Sequence, residues 1–216
     1  MTWIEQIFGQ SVSGGRVVSV LLGGYVAGCL TTGYYLVRMR LGMDIREMGS
    51  GSVGAKNVGR IMGIPGFCFT WLGDVAKGAV VVWAVRYWWN DPRLTGLAML
   101  AAVFGHIFPV QLGFRGGKGV STSFGALMVY DFRLAVAFLA LGAFFSLFGR
   151  VTPAGLIAFA LLPVAAKMLD RGPLEIIVIS ALAGMILFAH RKNLLDEFAH
   201  LASPEDAHTK PDQPLD

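Results

Sequence analysis

The stretch Val17-Val18-Ser19-Val20-Leu21-Leu22-Gly23-Gly24-Tyr25-Val26-Ala27-Gly28-Cys29-Leu30-Thr31-Thr32-Gly33-Tyr34-Tyr35-Leu36-Val37 holds no Asp, Glu, Lys or Arg and ends at Arg38. A helix crossing a hydrocarbon core of about 30 Å needs roughly 20 such residues. Gly23, Gly24, Ala27 and Gly28 within it are small enough to let another helix approach closely. Glu5 stands where a cleavable signal would be basic, and the apolar run continues without a cleavage-type break, so it reads as an uncleaved span.

Further apolar runs follow near 64–89, 94–111, 119–130, 133–149, 151–169 and 173–190. The 64–89 run ends in Tyr87-Trp88-Trp89, an aromatic belt of the kind found at membrane interfaces. Several runs are shorter than an untilted crossing requires, so partial or re-entrant elements lining a polar cavity are expected. Pro109, Pro153 and Pro163 are tolerated where neighbours satisfy the freed backbone. The reading is an all-α polytopic membrane protein of about seven short transmembrane helices. It forms a single domain over 1–202, and 203–216 is a polar, acidic tail expected to be disordered.

Composition agrees. Hydrophobic residues are 55% of the 216, charged residues 15%, and the mean hydropathy is +0.60. Soluble domains carry about a quarter of their residues as charges, so a soluble fold would expose too much apolar surface. The net charge of +4 comes from cations scattered over loops, which fits positive-inside topology and not nucleic-acid binding. Cys29 and Cys68, the only two cysteines, lie in apolar runs and imply neither a disulfide framework nor a thiolate metal site. With seven spans, one side collects Arg38–Arg60, Gln111–Lys118, Arg150 and the segment from Arg191. That side holds 11 Lys and Arg against 6 on the other, with Lys77 inside the membrane. The richer side is expected to be cytoplasmic, and all the unusual motifs lie on it.

The first motif is Gly49-Ser50-Gly51-Ser52-Val53-Gly54-Ala55-Lys56-Asn57-Val58-Gly59-Arg60. Alternating small residues let backbone N–H groups converge on an anion. A helix starting here would carry Lys56 and Arg60 on one face, with its N-terminus favouring a phosphate. A flexible Gly/Ser loop with cations reaching for the interface is the plainer alternative. The motif lacks the Gly-Lys-Ser/Thr closure of a Walker loop.

The second runs from Gly105-His106-Ile107-Phe108-Pro109 to Gly113-Phe114-Arg115-Gly116-Gly117-Lys118-Gly119-Val120-Ser121-Thr122. Its cations flank a double glycine, again a phosphate pattern. His106 reads equally as a buried hydrogen-bonding histidine or a functional one. Asp74 and Lys77 lie three apart inside the membrane, where ionised groups are costly unless paired or wet. They serve either each other or a polar site. The third motif, His190-Arg191-Lys192-Asn193, closes the last run, where cations are commonly membrane anchors.

No Gly-x-Ser-x-Gly elbow is present, the four histidines lack metal-ligand spacing, and none is followed by His-x4-Asp. No metal and no cofactor are expected.

These motifs resemble those of the bacterial acyl-phosphate:glycerol-3-phosphate acyltransferases, over about residues 20–200. That family carries Gly-Ser-Gly-Asn-x-Gly-Ala-Thr-Asn-Val-x-Arg, then Gly-His-x-Phe-Pro-x-x-x-Gly-Phe-Lys-Gly-Gly-Lys-Gly-Val, and a final His-Arg-x-Asn. The Asp74-x-x-Lys77-Gly78 step is similar too. Thr152 stands where the family usually has a serine. Ser52 replaces an Asn, Lys56 a Thr and Arg115 a Lys, and the usual Gly-Thr-Glu step is not recognisable.

The resemblance implies a seven-span inner-membrane enzyme with its site loops facing the cytoplasm, acting as a monomer among membrane lipid, with no nucleic acid partner. It implies acyl transfer from acyl phosphate to the 1-hydroxyl of glycerol 3-phosphate. Ser50 and Gly51 would meet the oxyanion through backbone N–H groups, Arg60 and Lys118 would hold phosphate charge, and His190 would orient the acceptor with Asn193. Gly54, Lys56, Asn57, Arg115, Gly116, Gly117 and Thr152 complete the expected phosphate contacts. Another phosphorylated acceptor, or a non-catalytic lipid-phosphate or anion binding or transport role, stays open because of Lys56 and Ser52.

Overall fold

The computed structural model describes residues 12–191. The 203–216 tail and Asn193 lie outside them. The first apolar run forms two helices, α1 (Gly14–Cys29) and α2 (Thr32–Leu41), which together make one segment long enough to cross a membrane. The chain breaks at Leu30–Thr31 without a proline. Carbonyls freed inside a membrane need partners, and they have them. Gln111 Nε2 donates to the Cys29 carbonyl at 2.6 Å, and Lys77 Nζ to the Leu30 carbonyl at 2.9 Å.

A short 3₁₀ turn, Ile45–Glu47, leads into α3 (Ala55–Trp89). Gly63 interrupts α3 with φ 70° and ψ −167°, a conformation that glycine alone adopts easily. Pro65 then falls at the start of the second arm, where its missing N–H has no helical partner to lose. The first motif therefore rides on a short helical arm of its own.

Helix α4 (Pro92–Ile107) begins at Asp91, whose carboxylate accepts from the Arg93 and Leu94 N–H groups. The remainder are α5 (Val120–Tyr130), α6 (Phe132–Ser146), α7 (Val151–Met168) and α8 (Pro173–Ala189). No strand occurs among the described residues.

Two pairs of helices meet backbone to backbone. A Cβ on Gly28 would strike the Ala102 carbonyl, and one on Gly105 the Tyr25 carbonyl, so α1 and α4 pack through glycines. Gly78 against Thr122 and Gly125 against Val75 do the same for α3 and α5. The main core joins α4, α5, α7 and α8 through Met99, Leu127, Phe159, Leu162, Ile179 and Leu182. Leu22, Val26, Phe69, Leu72, Trp83, Val164 and Phe188 are exposed on helices. On a bundle surrounded by lipid they need no further partner.

The segments Gly14–Leu41, Ala55–Trp89, Pro92–Leu112 and Val151–Met168 are long and apolar enough to cross a membrane. Helix α5, with 11 residues, is not. At about 1.5 Å per residue it spans only about half of a hydrocarbon core. One of its ends meets the turns of the far face, where Arg171 Nε pairs with Asp131 Oδ2 at 2.6 Å and Arg86 donates to the Val129 carbonyl. Its other end carries the second motif.

Candidate phosphate-handling site

The first loop is organised by one buried side chain. Asn57, on the first turn of α3, accepts from the Ser50 N–H through Oδ1 at 2.9 Å. Its Nδ2 donates to the carbonyls of Met48 and Ser52, each at 2.9 Å. Gly49 and Gly51 both have positive φ, and Gly49 lies against Asn57 Oδ1. Ser50 is exposed at the apex and Gly54 caps the helix. Both amide hydrogens of Asn57 are thus committed to the loop. The expected Asn57–phosphate contact has no donor left to make it.

Arg46 fastens this loop to the second one. Its Nη2 pairs with Asp44 Oδ2 at 2.6 Å, its Nη1 donates to the Leu112 carbonyl at 2.7 Å, and its guanidinium lies over the Tyr34 ring. The guanidinium holds the Asp44 carboxyl below its ordinary value. The sequence gives no signal for either role, because Arg46 belongs to no recognisable spacing and Gln111 falls at an unspecified position inside the second motif. Only the fold shows what each one bridges.

In the second loop the double glycine serves packing. The Gly116 N–H donates to the Ile107 carbonyl at 3.1 Å and the Gly117 N–H to the His106 carbonyl at 3.0 Å. A Cβ on Gly117 would collide with His106 Nε2, and one on Gly116 with the His106 carbonyl. Gly116 and Gly117 were expected to let the backbone approach a phosphate. They aim their N–H groups back at the end of α4, because the loop folds tightly onto that helix. Arg115 is exposed on the same loop.

What the fold does bring together are the cations. Lys56, from α3, donates to Thr152 Oγ1 of α7 at 2.9 Å. The half-buried Lys118 ammonium lies within electrostatic reach of Lys56 and Arg60 and is held below the usual lysine value, by burial first and then by those two charges. On the other side Lys118 acts on His190, at the end of α8. His190 is buried and its Nδ1 donates to the Ile186 carbonyl at 2.8 Å, which leaves Nε2 as the acceptor of a neutral ring. Burial chiefly holds this histidine below its ordinary value. The Ile186 hydrogen bond opposes the shift and the Lys118 charge adds to it. Lys56, Arg60, Lys118, Thr152 and His190 thus converge from four segments far apart in the chain. Among the described residues no group of three or more His, Cys, Asp or Glu could hold a metal ion.

A helical membrane bundle with a cluster of cations at one end, served by a glycine-rich loop, defines a membrane protein built to handle phosphorylated molecules. Comparison narrows the class. The family model described as glycerol-3-phosphate acyltransferase matches residues 18–199, and the chain belongs to that family. A glycerol-3-phosphate acyltransferase 1 of Bacillus cereus is 36% identical over 173 residues, 80% of this chain and 95% of the relative. One from Desulfitobacterium hafniense is 39% identical over 178 residues, 81% and 87% respectively. The fold is also similar to crystal structures of PlsY (YgiH), an integral membrane glycerol 3-phosphate acyltransferase. The glycerol 3-phosphate form matches with a TM-score of 0.77 and 26% identity, covering 88% of this chain and 94% of the other. The lysophosphatidic acid form matches with a TM-score of 0.75.

Proposed function

We propose that this protein transfers an acyl group from an acyl phosphate to the 1-hydroxyl of glycerol 3-phosphate, releasing lysophosphatidic acid and inorganic phosphate. The observation that carries the reading is the convergence of Lys56, Arg60 and Lys118 beside His190 at one end of the bundle. Both substrates bring phosphate, and mutually repelling cations gain most when an anion enters between them.

In the reaction the acyl carbon–oxygen bond to the leaving phosphate breaks and an ester bond to the glycerol oxygen forms. Acyl phosphate already has a good leaving group, so the protein's work is positioning and charge stabilisation. The Ser50 N–H is held by Asn57 and the Gly51 N–H by the Met48 carbonyl, so the expected backbone contact to the oxyanion falls instead to the exposed Ser50 hydroxyl at the loop apex. Arg60, Lys118 and Lys56 hold phosphate charge, with Arg115 at the entrance and Thr152 keeping Lys56 in place. His190 offers Nε2 to a glycerol hydroxyl, and Asn193 orients the same acceptor. The hydroxyl proton leaves to a substrate phosphate oxygen. Asn57, Gly116 and Gly117 act one step back by shaping the loops. The chain works as a monomer in the cytoplasmic membrane, its cation-rich face toward the cytoplasm.

The test is phosphate release by purified protein given acyl phosphate with and without glycerol 3-phosphate, beside Lys118→Ala. Acceptor-dependent release with stoichiometric lysophosphatidic acid, reduced to a small residual rate in the variant, is expected. Release that ignores glycerol 3-phosphate but follows another phosphorylated alcohol in the same assay would move the acceptor. No release from folded protein would refute the enzymatic reading.

A further inference from the structure

The buried Asp74–Lys77 pair has a third member and two ends. Lys77 Nζ lies 2.9 Å from Asp74 Oδ1, 2.9 Å from the Leu30 carbonyl and 2.9 Å from His106 Nδ1. The Asp74, Lys77 and His106 side chains are 2%, 8% and 3% exposed, so all three are removed from solvent. An ammonium has three donors and no acceptor, so it donates to all three partners, and His106 carries its ring proton on Nε2.

At one end the pair fits the break in the first span. Asp74 Oδ1 accepts from the Thr32 N–H and hydroxyl at the start of α2, while Lys77 meets the last carbonyl after α1. An anion at a helix N-terminus and a cation at a helix C-terminus each complement the local dipole. At the other end, the His106 Nε2 edge packs on Gly117, and the Gly116 and Gly117 N–H groups dock on the Ile107 and His106 carbonyls. Lys118 follows directly.

We infer that Asp74, Lys77 and His106 are positioning residues that seat the Gly116–Gly117 turn and thereby set the Lys118 ammonium in the site. This rests on Lys118 being the phosphate-holding cation of the proposed reaction. A buried ion pair is a costly way to plug a helix break, and an uncharged pair would often serve stability as well. The orientation of the His106 ring is what the ion pair supplies and a neutral pair would not.

The experiment uses the full chain in detergent. Asp74→Asn/Lys77→Met removes both charges while roughly keeping shape, and His106→Gln leaves the pair intact but removes the ring, so the test survives if one of them does not fold. Amide hydrogen exchange over 113–119 is expected to rise about tenfold or more, with exchange in 151–168 and 173–189 unchanged. The turnover number is expected to fall about 30- to 100-fold, the scale of an ångström-sized misplacement, with KM for glycerol 3-phosphate changing less. In a Lys118→Ala background the same substitutions should lower the residual rate no further, because residues acting through one group are not additive. Unchanged exchange in the loop, exchange rising equally throughout the bundle, or a full additional loss on top of Lys118→Ala would each overturn the inference. Exchange reads the loop whichever acceptor is used, whereas turnover of the unaltered protein alone tests the acceptor, so the two failures are distinguishable.

Discussion

Replacing Asn57 with alanine tests whether this side chain organises the first loop or touches substrate. It is 2% exposed and makes three hydrogen bonds of 2.9 Å to the backbone at Met48, Ser50 and Ser52. At about 1 kcal/mol net for each, Asn57→Ala should cost the ordered loop about 3 kcal/mol. Since about 1.4 kcal/mol is tenfold, the competent loop conformation becomes about 10²-fold rarer. Helices α4 to α8 make none of these bonds, so bundle melting should barely move. The assay is kcat/KM for acyl phosphate from phosphate release, read beside amide exchange of 48–52. Both should change by about two decades. Asn57→Asp should do no better, since its second oxygen would face the Met48 and Ser52 carbonyls. Refutation would be weakened substrate use with unchanged exchange over 48–52, or rescue by Asn57→Asp. The first would make Asn57 a direct phosphate contact, and the second would show that its Nδ2 donors are not what holds the loop, since an aspartate has none to offer.

Four further outcomes are expected. Gly117→Ala forces a methyl into His106 Nε2, so turnover should drop at least about 10²-fold, with lowered thermal stability, in the same phosphate-release and melting assays. The Lys118 amine is held below the ordinary lysine value, and its charge binds phosphate, so kcat/KM should fall as pH rises through that depressed value. Lys56→Thr removes one of the two repelling cations, so the alkaline limb of the pH profile should move to higher pH. Gly28→Val drives a branched side chain into the Ala102 carbonyl at the α1–α4 contact. It should destabilise the bundle by about 3 kcal/mol or more, seen as a lower melting temperature in detergent, while the more loosely surrounded Gly23→Ala should be nearly neutral.

The linear chain was a good guide where the physics is local. Absence of charge over some 20 residues dictates a lipid-soluble helix whatever its neighbours, and all seven apolar runs are helical. The glycine-and-cation motifs, and the helix that carries Lys56 and Arg60 on its first turns, were equally legible from spacing, and the family followed from them. What spacing does not encode is where a hydrogen-bonding group finds its partner. The break at Leu30–Thr31 has no proline or glycine signal of its own. It exists because Lys77 and Gln111, 47 and 82 residues away from the carbonyls they meet, satisfy the backbone there.

The glycine motifs misled for a related reason. A double glycine announces that backbone will come close to something, and in Gly116-Gly117 that something is the end of α4. The same holds for Asn57, whose amide matches a phosphate as well as it matches three loop peptides. The amino-acid order by itself determined the solvent, the helices and the inventory of charged groups. Only the tertiary structure decided which of those groups meet, since the Lys56–Thr152 hydrogen bond and the reach of the Lys118 charge to His190 depend on how distant helices pack, and packing through glycine contacts is a property of pairs of surfaces and not of any one segment.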